Sequence, residues 1–343
     1  MEWLLLIAGL AALFAGGEAL VRGAVGIARR LSIPPLLIGL TVVGFGTSTP
    51  ELLVSVDAAL RGVPDIAIGN IIGSNIGNIL LILGLAALVW PIRVMGDTLR
   101  RDTAVMTGAA LVLLPAFWPG ELTRMTGLAL IAGLACFLLI SFLRPGSDAP
   151  EGDDMPVPRL WLSLIQVGAG LAALMLGARW LVDGATAVAR DLGLSEAFIG
   201  LSIVAIGTSL PELATSLIAA LRRQSEIAIG NIVGSNIFNV WGILGITAMI
   251  RPIPVADRFL TLDLPVMIAV SALLTVLLMR PRIGRVTGLG LLAGYAAYVW
   301  VALARHATSG GAIASPGEQV FPAWQRAVCA GLRCQAARRG RHG

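Results

Sequence analysis

Apolar residues run along this chain in blocks of roughly twenty, separated by short polar or proline-bearing intervals. About 20 mostly apolar residues are what an α-helix needs to cross the hydrocarbon core of a bilayer. Ten blocks meet that length, over 3–27, 34–60, 66–89, 103–118, 124–143, 160–188, 196–220, 227–249, 260–279 and 286–304. The one long polar interval is 144–158, RPGSDAPEGDDMPVP, and its Pro, Gly and acidic content reads as an exposed linker. It separates 1–143 from 159–304, with five blocks in each part. Residues 305–343 contain no further block and read as a disordered basic tail.

The two parts repeat each other. Residues 40–84 and 201–245 align without a gap at an offset of 161, with 27 of 45 positions identical. The matches include polar residues inside apolar runs: Thr47/Thr208, Ser48/Ser209, Glu51/Glu212, Asn70/Asn231, Ser74/Ser235, Asn75/Asn236 and Asn78/Asn239. Beyond that core, Leu20-Val21 matches Leu181-Val182, Pro91-Ile92 matches Pro252-Ile253 and Asp102 matches Asp263. Five spans is an odd number, so two such halves in series must lie in the bilayer in opposite orientations. The expected fold is an all-α integral membrane protein of ten transmembrane helices, built as two inverted five-helix repeats with broken helices at the centre.

Composition agrees with the pattern. The 343 residues are 57% hydrophobic and 13% charged, a balance that cannot clothe a soluble globule. All 25 basic residues are arginine. Twelve of them follow blocks 1, 3, 5, 7 and 9, against five on the opposite side before the tail. The arginine-rich side is cytoplasmic by the positive-inside rule, which puts the N-terminus outside. The arginines of the tail oppose this assignment, but charge far from the last span has little orienting power. The net charge of +5 is therefore a topology signal and not a nucleic-acid footprint. Three cysteines and two histidines, both of the latter after position 305, offer no disulfide framework and no histidine site within the spans.

The chemistry lies in the duplicated polar residues. In Gly46-Thr47-Ser48-Thr49-Pro50-Glu51 the proline cannot donate to the Gly46 carbonyl, so the helix breaks there. A broken helix in a membrane is tolerated where its backbone lines a cavity or is buried in protein. Thr47 and Glu51 share a helix face, as do Asn70, Ser74 and Asn78 in the following block. Gly69/Gly73 and Gly230/Gly234 are GxxxG pairs that allow close helix approach. Two carboxylates, two amides and several hydroxyl and backbone oxygens make a hard, all-oxygen donor set that suits Ca²⁺ and Na⁺. One divalent cation neutralises two facing carboxylates, as would two protons, and alternation between such states is what an antiporter needs.

The double motif GxGTSxPE followed by GNxxGSNxxN resembles the Ca²⁺/cation antiporter superfamily, nearest to prokaryotic sodium/calcium exchanger proteins, over residues 1–304. The resemblance implies ten spans, alternating access and a central cation cluster. Its ligands would be Thr47, Ser48, Glu51, Ser74 and Asn78 with Thr208, Ser209, Glu212, Ser235 and Asn239. Exchangers of this kind often carry aspartate at the position of Asn239; here both partners are amides. That leaves two negative charges and keeps Ca²⁺/H⁺ exchange open beside Ca²⁺/Na⁺ exchange. A cation channel is a further alternative, against which the inverted repeat argues. No covalent chemistry and no cofactor are expected; Ca²⁺, Na⁺ and H⁺ are cargo. The expected partners are inorganic cations and the lipid bilayer, with the chain a monomer. Glu18/Arg22 and Arg179/Asp183 are expected to form i,i+4 ion pairs, Asp57 to be a solvated carboxylate, and Trp3, Trp90, Trp161 and Trp300 to anchor span ends.

Overall fold

The computed structural model describes residues 2–93, 97–143, 159–191 and 205–308. The 144–158 linker, the first part of the 196–220 block and the tail beyond 308 lie outside the described residues. Met1–Trp300 forms one compact unit and Val301–Gly343 a second, of which the described part is the end of the last helix.

Helices make up nearly all of the described residues of the first unit. In chain order they are α1 (Glu2–Leu31), α2 (Pro35–Thr47), α3 (Thr49–Leu60), α4 (Pro64–Val89), α5 (Asp97–Phe117) and α6 (Arg124–Leu143). After them come α7 (Leu160–Asp191), the single turn α8 (Ala205–Gly207), α9 (Leu210–Leu221), α10 (Ser225–Ile250), α11 (Phe259–Leu277) and α12 (Arg285–Thr308). Among the described residues six helices are long and apolar enough to cross a membrane, or seven if the bent pair α2–α3 counts as one span. The helices extend past the apolar blocks where polar residues continue the turn. Thus α5 starts at Asp97 although apolar character begins at 103, and α12 continues beyond 304.

Burial separates central helices from peripheral ones. In α4 and α10, 78% of the most apolar stretch is buried, against 33% in α1 and 28% in α6 and α7. The peripheral helices expose Trp3, Leu4, Ile7, Leu10 and Phe14 on α1 and Leu139, Phe142 and Leu143 on α6. Contiguous apolar surface on this scale is incompatible with water and fits lipid. Trp161 and Trp300 are exposed near helix ends, and Trp90 lies under the Arg223 guanidinium at 4.5 Å.

Two short antiparallel ladders join the parts. Strand β1 (Ile92–Arg93) pairs with β4 (Arg282–Ile283), and β2 (Glu121–Leu122) pairs with β3 (Ile253–Pro254). The predicted ion pairs form, Arg22 with Glu18 and Arg179 with Asp183, the latter at 3.8 Å. Glu18 also receives Arg222 from the far end of α9, which sequence spacing within one helix cannot reveal. Asp57 is partly exposed and paired with Arg61 at 2.6 Å.

Helices α1 and α7 pack antiparallel along a glycine seam. Gly9, Gly16 and Gly23 recur every seven residues on α1, and Gly170, Gly177 and Gly184 do so on α7. A Cβ added at Gly170 would lie 2.6 Å from the Leu20 nitrogen and 2.8 Å from the Gly16 carbonyl, both backbone atoms that cannot swing aside. Gly170→Ala is therefore expected to lower thermal stability by about 1–3 kcal/mol. A melting curve of the detergent-purified variant reads this out; an unchanged midpoint would show that the backbones are farther apart than described.

Candidate functional site

The site is assembled where α2 ends and α3 begins, at the equivalent α8–α9 junction, and at the middles of α4 and α10. Ser48 interrupts the first junction with backbone angles of −81° and 7°, and α2 and α3 meet there at 44°. Ser209 occupies the second with −89° and 6°. Pro50 and Pro211 fall at the second position of the new helix, where a missing N–H costs nothing. The bend therefore lies at the serine and not at the proline itself. Glu51 and Glu212 sit in the first turn of α3 and α9 and are both 1% exposed.

Ser-x-x-Glu at a helix start is the pattern of a capping box, in which serine and glutamate serve their own helix. Neither serine does so here. Ser48 Oγ donates across to Glu212 Oε1 at 3.0 Å, and Ser209 Oγ donates to Glu51 Oε1 at 3.2 Å. Ser74 Oγ lies 3.3 Å from Ser209 Oγ, which extends the chain of hydroxyls onto α4. The remaining carboxyl oxygens, Glu51 Oε2 and Glu212 Oε2, are buried and receive no hydrogen bond from the described residues.

The asparagines complete the centre. Asn78 opens a wide, π-helical turn over Asn78–Ile82, and Asn239 is the second residue of another over Phe238–Ile243. Such turns disturb the regular ladder and recur at functional sites. Asn78 Nδ2 donates to Asn236 Oδ1 at 2.9 Å, and Asn239 Nδ2 donates to Asn75 Oδ1 at 2.9 Å. Asn78 Oδ1 and Asn239 Oδ1 are then left buried and without a hydrogen bond from the described residues. Four buried oxygen acceptors, two of them on carboxylates, thus lack a donor among the described residues. Each such group costs about 1–3 kcal/mol when left unsatisfied, and more when charged. A hard cation supplies what all four lack, so the residues fit Ca²⁺ or Na⁺ as cargo.

The other expected ligands occupy supporting places. Thr47 Oγ1 donates to Asn231 Oδ1 at 3.1 Å and lies 3.3 Å from the Gly44 carbonyl, which also accepts from Ser235 Oγ at 3.1 Å. Their protons are committed to protein and their lone pairs remain. Thr208 is half-buried beside Ser209. Asn70 and Asn231 bind the carbonyls of Glu51 and Glu212 and the hydroxyls of Ser55 and Ser216. They hold the first turns of α3 and α9 onto α4 and α10. Sequence reading passed over Ser55/Ser216 and the methionines that touch the central amides, Met106 and Met267. Both pairs keep the 161 offset, which is the signal that could have found them.

Close backbone approach holds this arrangement on one side. A Cβ at Gly234 would sit 2.2 Å from the Leu40 carbonyl oxygen, and one at Gly230 would sit 3.0 Å from the Gly39 Cα. The Gly230/Gly234 pair therefore packs α10 onto α2 as its spacing predicts. The segment at 196–204, which corresponds to α2 residues 35–43, lies outside the described residues, so the Gly69/Gly73 pair has no described counterpart to this contact.

Similarity to known proteins agrees with this architecture. Residues 1–143 and 162–304 match the family described as sodium/calcium exchanger protein. The inner membrane protein YrbG of Escherichia coli is 39% identical, over 87% of this chain and 95% of that protein. The sodium/calcium exchanger MaX1 of Methanosarcina acetivorans is 31% identical, over 88% of this chain and 98% of its own length. Among solved structures, the sodium-calcium exchanger NCX_Mj, soaked with 10 mM Na⁺ and zero Ca²⁺, superposes with a TM-score of 0.76 at 33% identity, covering 88% and 98% of the two chains. Matches this long, spanning both halves of a helical and lipid-compatible protein, make this chain an integral membrane member of the sodium/calcium exchanger family.

Proposed function

We propose that the protein is a secondary antiporter that exchanges Ca²⁺ for Na⁺ across the membrane by alternating access. One observation carries the reading: the two glutamates sit at equivalent positions of the repeat and each is held by the other half's serine. Their second oxygens and the two amide oxygens are buried acceptors without a donor among the described residues, which supports a hard cation as their partner. The cation ligands are Thr47, Ser48, Glu51, Ser74 and Asn78 with Thr208, Ser209, Glu212, Ser235 and Asn239. Broken helices at mid-membrane that are mirrored between halves are the usual setting for cation sites in transporters. The similarity to MaX1 and NCX_Mj, both named as sodium/calcium exchangers, supports the choice of cations.

The molecule is read as ten spans in two inverted repeats, 1–143 and 159–304. The ladders support it. Strands β1 and β4 follow the third and ninth spans, and β2 and β3 follow the fourth and eighth, so inverted topology brings each pair to one side. The ion pair of Arg258 with Asp65, at 3.3 Å, joins connections after the eighth and second spans and obeys the same parity. The arginine-rich connections are assigned to the cytoplasm and the N-terminus to the outside of a prokaryotic inner membrane.

A second reading, Ca²⁺/H⁺ exchange, is favoured by the amides at both Asn78 and Asn239. Among the described residues no group of three acidic, histidine or cysteine side chains is placed to hold a metal. Two carboxylates match one Ca²⁺ or two protons in charge. Protein reconstituted in liposomes decides between them. An outward Na⁺ gradient at equal pH is expected to drive ⁴⁵Ca²⁺ uptake at least about tenfold above the no-gradient rate. Uptake that follows only a pH gradient would overturn Na⁺ coupling in favour of H⁺ coupling.

A further inference from the structure

We propose that Asn75 and Asn236 are positioning residues that fix which way the amides of Asn78 and Asn239 face, so that both present oxygen to the transported cation. The inference rests on the exchange reading above and adds a device to it. An asparagine side chain has a donor end and an acceptor end of almost identical shape, and only its neighbours decide which end faces a site.

Here the decision starts at the main chain. A peptide carbonyl can only accept. The Asn75 carbonyl therefore selects the NH₂ of Asn236, at 3.4 Å, and the Asn236 carbonyl selects the NH₂ of Asn75, at 3.2 Å. The second hydrogen of each amide faces another acceptor, Met106 Sδ or Met267 Sδ, at 3.6 Å in both cases. With both donors committed to that side, Asn236 Oδ1 must face Asn78 and Asn75 Oδ1 must face Asn239. Each oxygen then takes the NH₂ of its neighbour at 2.9 Å. The Oδ1 atoms of Asn78 and Asn239 are thereby turned the other way, and they are two of the four buried acceptors without a hydrogen bond from the described residues. The polarity runs unbroken from a carbonyl of one half, through an amide of the other, back to a ligand of the first. Were either relay amide lost, Asn78 or Asn239 would be free to turn its NH₂ toward the cation, replacing an attractive dipole by a repulsive one.

A double-substitution experiment separates orientation from mere support. Asn236→Leu removes the acceptor that holds Asn78, and it is expected to raise the half-saturating Ca²⁺ concentration about tenfold in ⁴⁵Ca²⁺ exchange and in calorimetric binding. Aspartate at position 78 has no donor end and needs no orienting. Adding Asn236→Leu to Asn78→Asp is therefore expected to change half-saturation by less than about threefold relative to Asn78→Asp alone. Asn75→Leu with Asn239→Asp repeats the test from the other half. Equal losses in the asparagine and aspartate backgrounds would overturn the inference. So would failure of both leucine variants to yield folded protein, which assigns the amides a structural duty only. An unsubstituted protein that neither binds nor exchanges Ca²⁺ overturns the exchange reading and the inference with it. Unsubstituted exchange with unchanged half-saturation in both leucine variants overturns the inference alone.

Discussion

Glu51→Gln and Glu212→Gln are each expected to reduce Ca²⁺ exchange by at least about 100-fold. Two effects combine. Removing one of two full charges next to a divalent cation forfeits about 3 kcal/mol or more even at the high effective permittivity of real protein sites, and 1.4 kcal/mol is a factor of ten. The geometry adds a second loss. Ser209 donates to Glu51 Oε1 and Ser48 donates to Glu212 Oε1. A glutamine must keep its oxygen at that position to accept the serine proton, so its NH₂ falls where Oε2 was. That is the atom otherwise without a donor, and the substitution sets a donor against the cation. The measurement is ⁴⁵Ca²⁺ uptake by reconstituted protein, with Asp57→Asn as control. Asp57 makes a partly exposed pair with Arg61, so its loss is expected to change uptake less than about threefold. Uptake at the unsubstituted rate in either glutamine variant would remove that residue from the transport pathway.

Gly234→Ala is expected to abolish most exchange, by at least about tenfold, and to destabilise the protein by about 1–3 kcal/mol or more. The added methyl would lie 2.2 Å from the Leu40 carbonyl oxygen and 2.6 Å from its Cα, so α2 and α10 must separate. The adjoining residue, Ser235, donates to the Gly44 carbonyl, and Thr47 donates to Asn231 across the same interface. Separation loosens both, together with the turn that carries Ser48 toward Glu212. A paired assay of melting midpoint and ⁴⁵Ca²⁺ uptake tests this. Gly290→Ala, whose Cβ meets nothing within 4 Å among the described residues, is the comparison and is expected to retain both. A Gly234→Ala protein with normal melting and uptake would show that this contact does not support the site.

Much of the architecture is readable from the amino-acid order because a bilayer imposes a simple rule. Backbone groups must pair within helices, so apolar length marks the helices, and α1, α4, α6, α7 and α10 follow the apolar blocks closely. The polar residues stand out for the same reason, since Glu51, Glu212 and the asparagines have no business in lipid unless they face something polar. Periodicity stops at the edge of each helix. It places Thr47 with Glu51 and Ser74 with Asn78, but the partners that matter are across the interface: Ser48 with Glu212, Asn78 with Asn236 and Glu18 with Arg222. The proline pointed to the break, yet the bend fell on Ser48, since a proline in a first turn needs no donor. The glycine seam between α1 and α7 is present in the sequence as a seven-residue repeat on each helix. A recurring glycine states that something comes close without stating what.

The reciprocal serine–glutamate contacts constrain how such a molecule can change. A half-length chain would hold one serine and one carboxylate but could satisfy neither by itself, because each reaches for a counterpart it lacks. Two equivalent halves in one chain keep each serine supplied with the other half's carboxylate. A change at Ser48 or Glu212, or at Ser209 or Glu51, must therefore be answered in the opposite half.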